Sequence, residues 1–448
     1  MVHFKTWILF VRTIISFALS PKGFSKYSLA GKTLFSLTFR YPDKSKHSFG
    51  FFLKKYLEAL TCKRIMLNDA CHKYTSGDIF FYDNDSSVAN EKARKGHIEF
   101  FLKHPVNGSI WKDKLLAYFS LSDKFLQLLF ETLLFIFLLP LTLFAEYEGS
   151  LGMIFIEYIE LVNLIKIVKK EEVNTLYYYS IYEKDSNISS IALQNMGVRV
   201  NKITSLTPLK FWNSIIVAAD KLILCDMNQL DEVDEYKSTI QVDAIEVWGP
   251  ETIAGSAAHY FNGGRYDTNK NVIGFYSTAA YMRAMQGDVD HKNSARNENL
   301  VKSYLAEYLR ANRAKKLIVF PHPREKRAEN KRLVEDHYNS FFNGLSFTIY
   351  DSELPSSLCF DAVDLGIAMY SSVIYERLYF GFKCLMMPGE EGLELPGKAL
   401  SYICARSKED LFAKADMFSD LTVLEYFKKT GLKQSPFMVE LLNTPHSK

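Results

Sequence analysis

Residues 315–327 read KKLIVFPHPREKR, and residues 364–389 read DLGIAMYSSVIYERLYFGFKCLMMPG. Each contains a short apolar run, Leu317 to Phe320 and Leu365 to Tyr370, that stops at small or polar residues and passes into a helical pattern. Unbroken apolar runs of this length, bounded by turn residues, point to buried strands of a parallel sheet. Open sheets of that kind bind ligands beyond the carboxyl ends of their strands. The two runs end at Pro321-His322-Pro323-Arg324 and at Ser371-Ser372, with Glu376 one helical turn further on.

The same alternation extends in both directions. A strand over Val272 to Tyr276 ends at Ser277-Thr278, and a later amphipathic helix sets Leu300, Val301, Tyr304, Leu305, Tyr308 and Leu309 on one face. Upstream, MIFIEY (153–158), TLYYYSIY (175–182), VRVNKI (198–203), KLILCD (221–226) and AIEVWG (244–249) read as strands. Helical stretches lie between them, one near 209–218. Strands separated by helices mean βαβ units and a parallel sheet. The expected fold is therefore α/β, with two Rossmann-like domains at 151–265 and 266–448 facing each other across a cleft. The Gly- and Asn-rich stretch PETIAGSAAHYFNGGRYDTNKN (250–271) connects them.

The net charge of +3 hides an asymmetry: residues 1–124 hold 20 Lys and Arg against 10 Asp and Glu, so the rest of the chain is acidic. A basic segment attracts phosphate-rich partners, anionic lipid or nucleic acid. The apolar stretches beside it favour lipid, and no nucleic-acid partner is expected. Residues 4–20 suit a helix lying on a membrane surface, with Lys5 and Arg12 reaching headgroups. Residues 125–144, FLQLLFETLLFIFLLPLTLF, are the most apolar window. Gln127, Glu131 and Pro140 within it favour membrane attachment over a spanning helix, since a central charge costs roughly 3 kcal/mol, and a buried core helix is the other reading. Residues 1–150 thus read as a basic, membrane-associating region at the cytoplasmic face of an inner membrane. The six cysteines are scattered without a CxxC pair, as reduced thiols are.

A strand ending in His322-Pro323, followed by a strand ending in Ser371-Ser372 at the mouth of a helix, resembles the bacterial sialyltransferases and related Kdo transferases of the GT-B architecture. The resemblance covers about residues 150–420. It implies a glycosyltransferase that moves an acidic sugar, sialic-acid-like or Kdo-like, from a CMP-activated donor to a bacterial surface glycan or lipid-linked acceptor. No resident cofactor or metal is implied. That family's acidic motif is absent in its usual form, Glu246-Val247-Trp248-Gly249 being the nearest stretch. By that placement Glu246 is the favoured catalytic carboxylate and Glu157 the next, with Glu160 and Asp226 as further strand-end carboxylates.

The chemistry fits the placement. Departure of a nucleotide leaves negative charge on phosphate, which helix N-termini, hydroxyls, imidazole and guanidinium groups can meet. Ser371 and Ser372 are phosphate donors or an N-cap. His322 donates to the phosphate, protonates it, or is a rigid loop residue. Arg324 is a second phosphate donor or a solvated charge, Glu376 binds ribose or faces water, and Ser277 and Thr278 touch the nucleotide. A rival signal is IFFYDND, whose Asp83 and Asp85 have the DxD form of metal-dependent transferases; Asp288 and Asp290 share those letters without a strand. The other functions left open are a UDP- or GDP-sugar transferase of the same architecture and a non-catalytic scaffold of a polysaccharide pathway.

Overall fold

A computed structural model describes residues 173–179, 190, 193, 194, 196–204, 217–235, 240–249, 260, 271–287, 290–352, 354–369, 371–389 and 398–443. In the first 172 residues it describes strands at 71–73, 79–83 and 108–111 and the helical residues 133, 136, 165 and 168. The fold is α/β, with two compact units that each carry a largely parallel sheet.

The first unit carries strands β1 (Cys71–Lys73), β2 (Ile79–Asp83), β3 (Gly108–Trp111), β4 (Thr175–Tyr179), β5 (Arg199–Ile203), β6 (Val217–Ala218), β7 (Lys221–Leu224), β8 (Ile240–Gln241) and β9 (Ala244–Val247). Its main sheet runs β1-β3-β2-β4-β5-β7-β9, and every neighbouring pair is parallel except β1 with β3. With β1 set aside, β3-β2-β4-β5-β7 is the doubly wound order of flavodoxin-like folds. Val200, Leu222, Ile223 and Leu224 are fully buried, as strands covered on both faces require. Asp220 accepts the Val200 amide at 2.6 Å and so ties β5 to the turn that enters β7.

Two sequence boundaries shift. The sheet does not open near residue 150, because β1, β2 and β3 belong to it. Short strands set among basic and turn-forming residues give little periodicity. Trp248 onward belongs to the second unit, not the stretch from 266. The reason is Tyr260, whose buried hydroxyl donates to Ser357 O at 2.5 Å and accepts from the Phe360 amide at 3.0 Å. Val217–Ala218 form a short strand beside β8, where a helix over 209–218 is expected. Of the proposed strand at 153–158, and of the membrane segments at 4–20 and 125–144 apart from helical, exposed Leu133 and Ile136, all residues lie outside those described. Among the described residues no helix is long and apolar enough to cross a membrane.

The second unit is built on β10 (Val272–Tyr276), β11 (Lys316–Phe320), β12 (Phe347–Ile349), β13 (Leu365–Ala368) and β14 (Lys383–Met386). All neighbours are parallel in the order β12-β11-β10-β13-β14. In chain order that is 3-2-1-4-5, the Rossmann arrangement, which reverses direction between β10 and β13. The helices are α1 (Gln229–Glu235), α2 (Ala280–Met285), α3 (Asp290–Ala311), α4 (Lys331–Phe342), α5 (Ser372–Tyr379), α6 (Lys398–Tyr402), α7 (Lys408–Asp420), α8 (Val423–Thr430) and α9 (Pro436–Asn443). On α3, Val301, Leu305, Tyr308 and Leu309 are buried as the pattern predicts, whereas Leu300 stands 44% exposed at the rim of that face. A Thr422/Glu425 capping box starts α8 and left-handed Gly431 ends it. Cys225, Cys359, Cys384 and Cys404 are free thiols.

The core of this unit is closed by a cation. Arg377 of α5 is fully buried, and its guanidinium donates to the Tyr276 hydroxyl at 2.9 Å and to the carbonyls of Phe360, Val363 and Lys383 at 3.2–3.4 Å. It also lies over the rings of Tyr276, Phe360 and Phe382. Gly366 of β13 gives it room, since a Cβ there would stand 2.5 Å from Arg377 Nε. Beside it, buried Lys383 pairs with Asp364 at 2.8 Å and donates to the carbonyls of Phe418 and Leu421 at the end of α7, both at 2.8 Å. Arg377→Met should cost about 3–5 kcal/mol, because the packed volume survives while buried acceptors lose their donors. A urea midpoint unchanged from wild type would contradict this.

Candidate functional site

The site is assembled at the carboxyl ends of β10, β11 and β13, around the point where the strand order reverses. Beyond β10 the chain stays against β11, the Ser277 amide donating to Phe320 O at 3.1 Å. It then turns through Ala279, whose φ of 54° is left-handed, a conformation that costs a side chain about 1 kcal/mol or more. Among the described residues it is the single non-glycine with positive φ. That turn leads into α2, whose Arg283 acts electrostatically on His322.

His322 follows β11 and is half-buried. Its Nδ1 accepts the Arg324 amide at 3.1 Å. Burial, with the guanidinium groups of Arg283 and Arg324 nearby, pushes its pKa down from the usual 6.5 to about 4. At neutral pH the ring is therefore uncharged, and with Nδ1 occupied as an acceptor its proton sits on Nε2. His322 is thus a hydrogen-bond donor and not a store of transferable protons. Pro323 and Arg324 are exposed.

Beneath these loops lies a buried ionic group. Glu325 receives the His322 amide at 2.6 Å and the Tyr338 hydroxyl at 2.8 Å, and it contacts the Ser277 hydroxyl. Burial raises its pKa, against the lowering effect of those donors. Glu298 of α3 receives both the amide and the hydroxyl of Thr278, at 2.6 and 2.9 Å. One ammonium serves this region: Lys302 Nζ lies 3.7 Å from Glu298 and 2.6 Å from His337 Nε2, among the faces of Tyr281, Tyr338 and Phe341. His337 stacks on Tyr281, and burial beside Lys302 pushes its pKa down to about 3. Ser277, 5% exposed, spends its oxygen on the Ala279 amide at 3.0 Å. It supports the loop, while half-buried Thr278 remains at the site.

On the other side of β10, Ser371 is the N-cap of α5, its hydroxyl accepting the Val373 amide at 3.4 Å. Ser372 begins the helix, so the first-turn amides face the strand end. Glu376 is 9% exposed and turned into the protein, not toward water. His322, Thr278, Ser371 and Ser372 thus occupy one edge of one sheet. Arg283, Glu298 and Glu325 escape it. Glu325 sits in the run HPREKR and Glu298 in a polar stretch of α3, where isolated charges read as solvated.

Of the carboxylates assigned to catalysis or held as further candidates, Glu246 and Asp226 are among the described residues. Glu246 lies within β9, at the edge of the first unit's sheet, and accepts from Lys221 at 2.5 Å with both side chains partly exposed. Asp226 is buried; it accepts the Asn228 amide and side chain, both at 2.8 Å, and burial raises its pKa to about 6. Glu157, Glu160, Asp85 and Asp288 lie outside the described residues; Asp83 ends β2 and Asp290 begins α3. Among the described residues no group of three or more His, Cys, Asp or Glu is set to hold a metal ion.

No protein-family model and no curated protein matches the chain. Among solved structures it is similar to UDP-N-acetylglucosamine 2-epimerase from Rickettsia bellii, at 12% identity and TM-score 0.43 over 82% of this chain and 93% of that one. It is similar to the UDP-GlcNAc 2-epimerase of Neisseria meningitidis bound to UDP-GlcNAc, at 10% identity and TM-score 0.43 over 81% and 99%. MurG of Acinetobacter baumannii gives 8% identity and TM-score 0.43 over 82% and 98%.

Because His322 and His337 stay neutral in the fold while their unfolded counterparts take up protons below about pH 6.5, the unfolded state binds more protons in that window. Stability should therefore fall as pH drops from about 6.5 toward 4. His322→Asn should flatten part of that slope. In histidine-labelled protein the His322 ring should titrate near pH 4, and Arg283→Gln should move its midpoint upward.

Proposed function

We propose that this chain is a nucleotide-sugar-dependent glycosyltransferase whose second unit holds the donor's phosphate at the carboxyl ends of β10, β11 and β13. The observation that carries this reading is the placement of a neutral Nε2–H donor, His322, and a serine-capped helix start, Ser371-Ser372, on the two sides of β10. Two strand spacings, about 10 Å, separate those positions, a span that a nucleotide phosphate and its sugar can bridge. When the glycosidic bond to the donor breaks, charge builds on phosphate oxygen. Preorganised N–H and O–H donors stabilise that charge without rearranging.

The resemblance carried by the His322-Pro323 and Ser371-Ser372 motifs supports a CMP-activated acidic sugar as donor, with UDP and GDP as the competing nucleotides. On that reading a carboxylate of the first unit activates the acceptor hydroxyl. Glu246 remains the first assignment and Glu157 the second, and Glu246 has to exchange its Lys221 partner to act as a base. The basic charge of residues 1–124 supports an acceptor presented at an anionic membrane surface, as a lipid-linked or surface glycan.

Thermal stability of the full chain with CMP, UDP or GDP, each with and without Mg²⁺, tests the reading. A nucleotide at 100 times its Kd adds about 2.7 kcal/mol. Stabilisation by CMP is expected, lost in His322→Ala and in Ser371→Ala when each variant is compared with its own ligand-free state. Stabilisation by UDP or GDP alone replaces the donor and keeps the site. No stabilisation by any of the three removes the donor-site reading in favour of a scaffold.

A further inference from the structure

We infer that the buried Glu298–Lys302–Glu325 group sets the hydrogen-bond polarity of the site. It fixes Thr278 as an acceptor and His322 as an Nε2–H donor, so that the ligand presents a hydroxyl or N–H to Thr278 and an anionic oxygen to His322. The ligand part of this inference rests on the donor-site reading above; the polarity itself rests on geometry.

Thr278 has one hydroxyl proton, and Glu298 Oε1 takes it at 2.9 Å while also taking the Thr278 amide at 2.6 Å. What Thr278 offers outward is lone-pair density, which repels phosphate oxygens and receives a donor from the ligand. A ribose or sugar hydroxyl, or a base N–H, has that character. One strand away the logic reverses. Glu325 clamps the His322 amide at 2.6 Å, which fixes the loop so that the Arg324 amide returns to Nδ1 at 3.1 Å. The ring can then carry its proton on Nε2 alone, and an N–H donor receives an anionic oxygen.

The two loops are adjacent because β10 and β11 pair in register, Tyr276 opposite Phe320. Lys302 unites the two carboxylates from below. Its Nζ is 3.7 Å from Glu298, and Glu325 acts on the same ammonium. Both carboxylates accept here, and acceptors beneath the loops are what turn the hydroxyl of Thr278 and the amide of His322 downward. Glu298, Lys302 and Glu325 are positioning residues on this account. They touch no ligand but determine which end of it each exposed group can accept.

The test uses the full-length chain labelled with ¹³C and ¹⁵N histidine, His322 being assigned through His322→Gln. The expected wild-type signal is the Nε2–H tautomer before any ligand is added, with a mixture of tautomers in Glu325→Gln. Calorimetric titration with CMP and UDP is expected to show affinity falling about fivefold to tenfold in Thr278→Val and recovering in Thr278→Ser, the size of one lost hydrogen bond. Tyr338→Phe removes one partner of Glu325 without touching its charge, and should weaken the tautomer preference if Glu325→Gln fails to fold. Wild-type protein that shows the Nε2–H tautomer but binds neither nucleotide supports the polarity and overturns the donor-site reading. Nucleotide binding together with an unchanged His322 tautomer and unchanged affinity in Glu325→Gln, Tyr338→Phe and Thr278→Val overturns the inference and spares the donor site.

Discussion

Five N–H groups on a side chain cut off from water have to find acceptors, and Arg377 finds four, the Lys383 carbonyl accepting twice, by gathering distant parts of the second unit around itself. Tyr276 ends β10, Phe360 and Val363 precede β13, and Lys383 starts β14. None of these acceptors can move without stranding a guanidinium proton in an apolar core, where an unmade hydrogen bond costs about 1–3 kcal/mol. The residue that enforces this belongs to α5, the helix whose first turn carries Ser371 and Ser372. The spacing between that first turn and the loop beyond β10 is therefore set from inside the core, through the Tyr276 hydroxyl, before any ligand arrives.

The site above that core is supported in a different way. Loops at strand ends have few apolar contacts to hold them, so they are fixed here by carboxylates reaching up from below. Burying two acidic groups beside one ammonium is costly in general. In this unit the cost is offset by donors: two from Thr278, one from the His322 amide and one from Tyr338, with three aromatic faces around Lys302. The result is a surface with neutral imidazole at one point and hydroxyl lone pairs at another, both presented by groups that cannot turn over freely.

How much of this is legible in sequence depends on whether a residue's job follows from its hydropathy. Val272–Tyr276, Lys316–Phe320 and Leu365–Ala368 are apolar runs with abrupt polar ends, and the strands fall where those runs lie. The placement of His322, Ser371 and Ser372 at strand ends follows directly. Ile79–Asp83 carried a similar run, but its polar end resembled a metal motif and its basic surroundings a membrane-facing segment, so its place in the first sheet was hidden. Arg377, Glu298 and Glu325 are invisible to periodicity for a plainer reason. A charged residue on a helix reads as solvated by default, and only the three-dimensional neighbourhood shows that its partners lie on other strands. Glu376 is the same case, a carboxylate that pattern alone leaves at a ribose or in water and that the fold buries.

Gly366 and Arg377 also constrain how this chain can descend. While the guanidinium is present, position 366 has no room for a side chain; while the surrounding carbonyls are fixed, position 377 has no tolerated replacement. Either change alone passes through a poorly folded intermediate, so drift at one site has to await compensation at the other. His322 and Ser371 are held by local bonds instead, to Glu325, the Arg324 amide and the Val373 amide, and not by a pair of buried residues that exclude each other's replacement. The buried glycine and arginine therefore change together or not at all, whatever the edge of the sheet above them comes to hold.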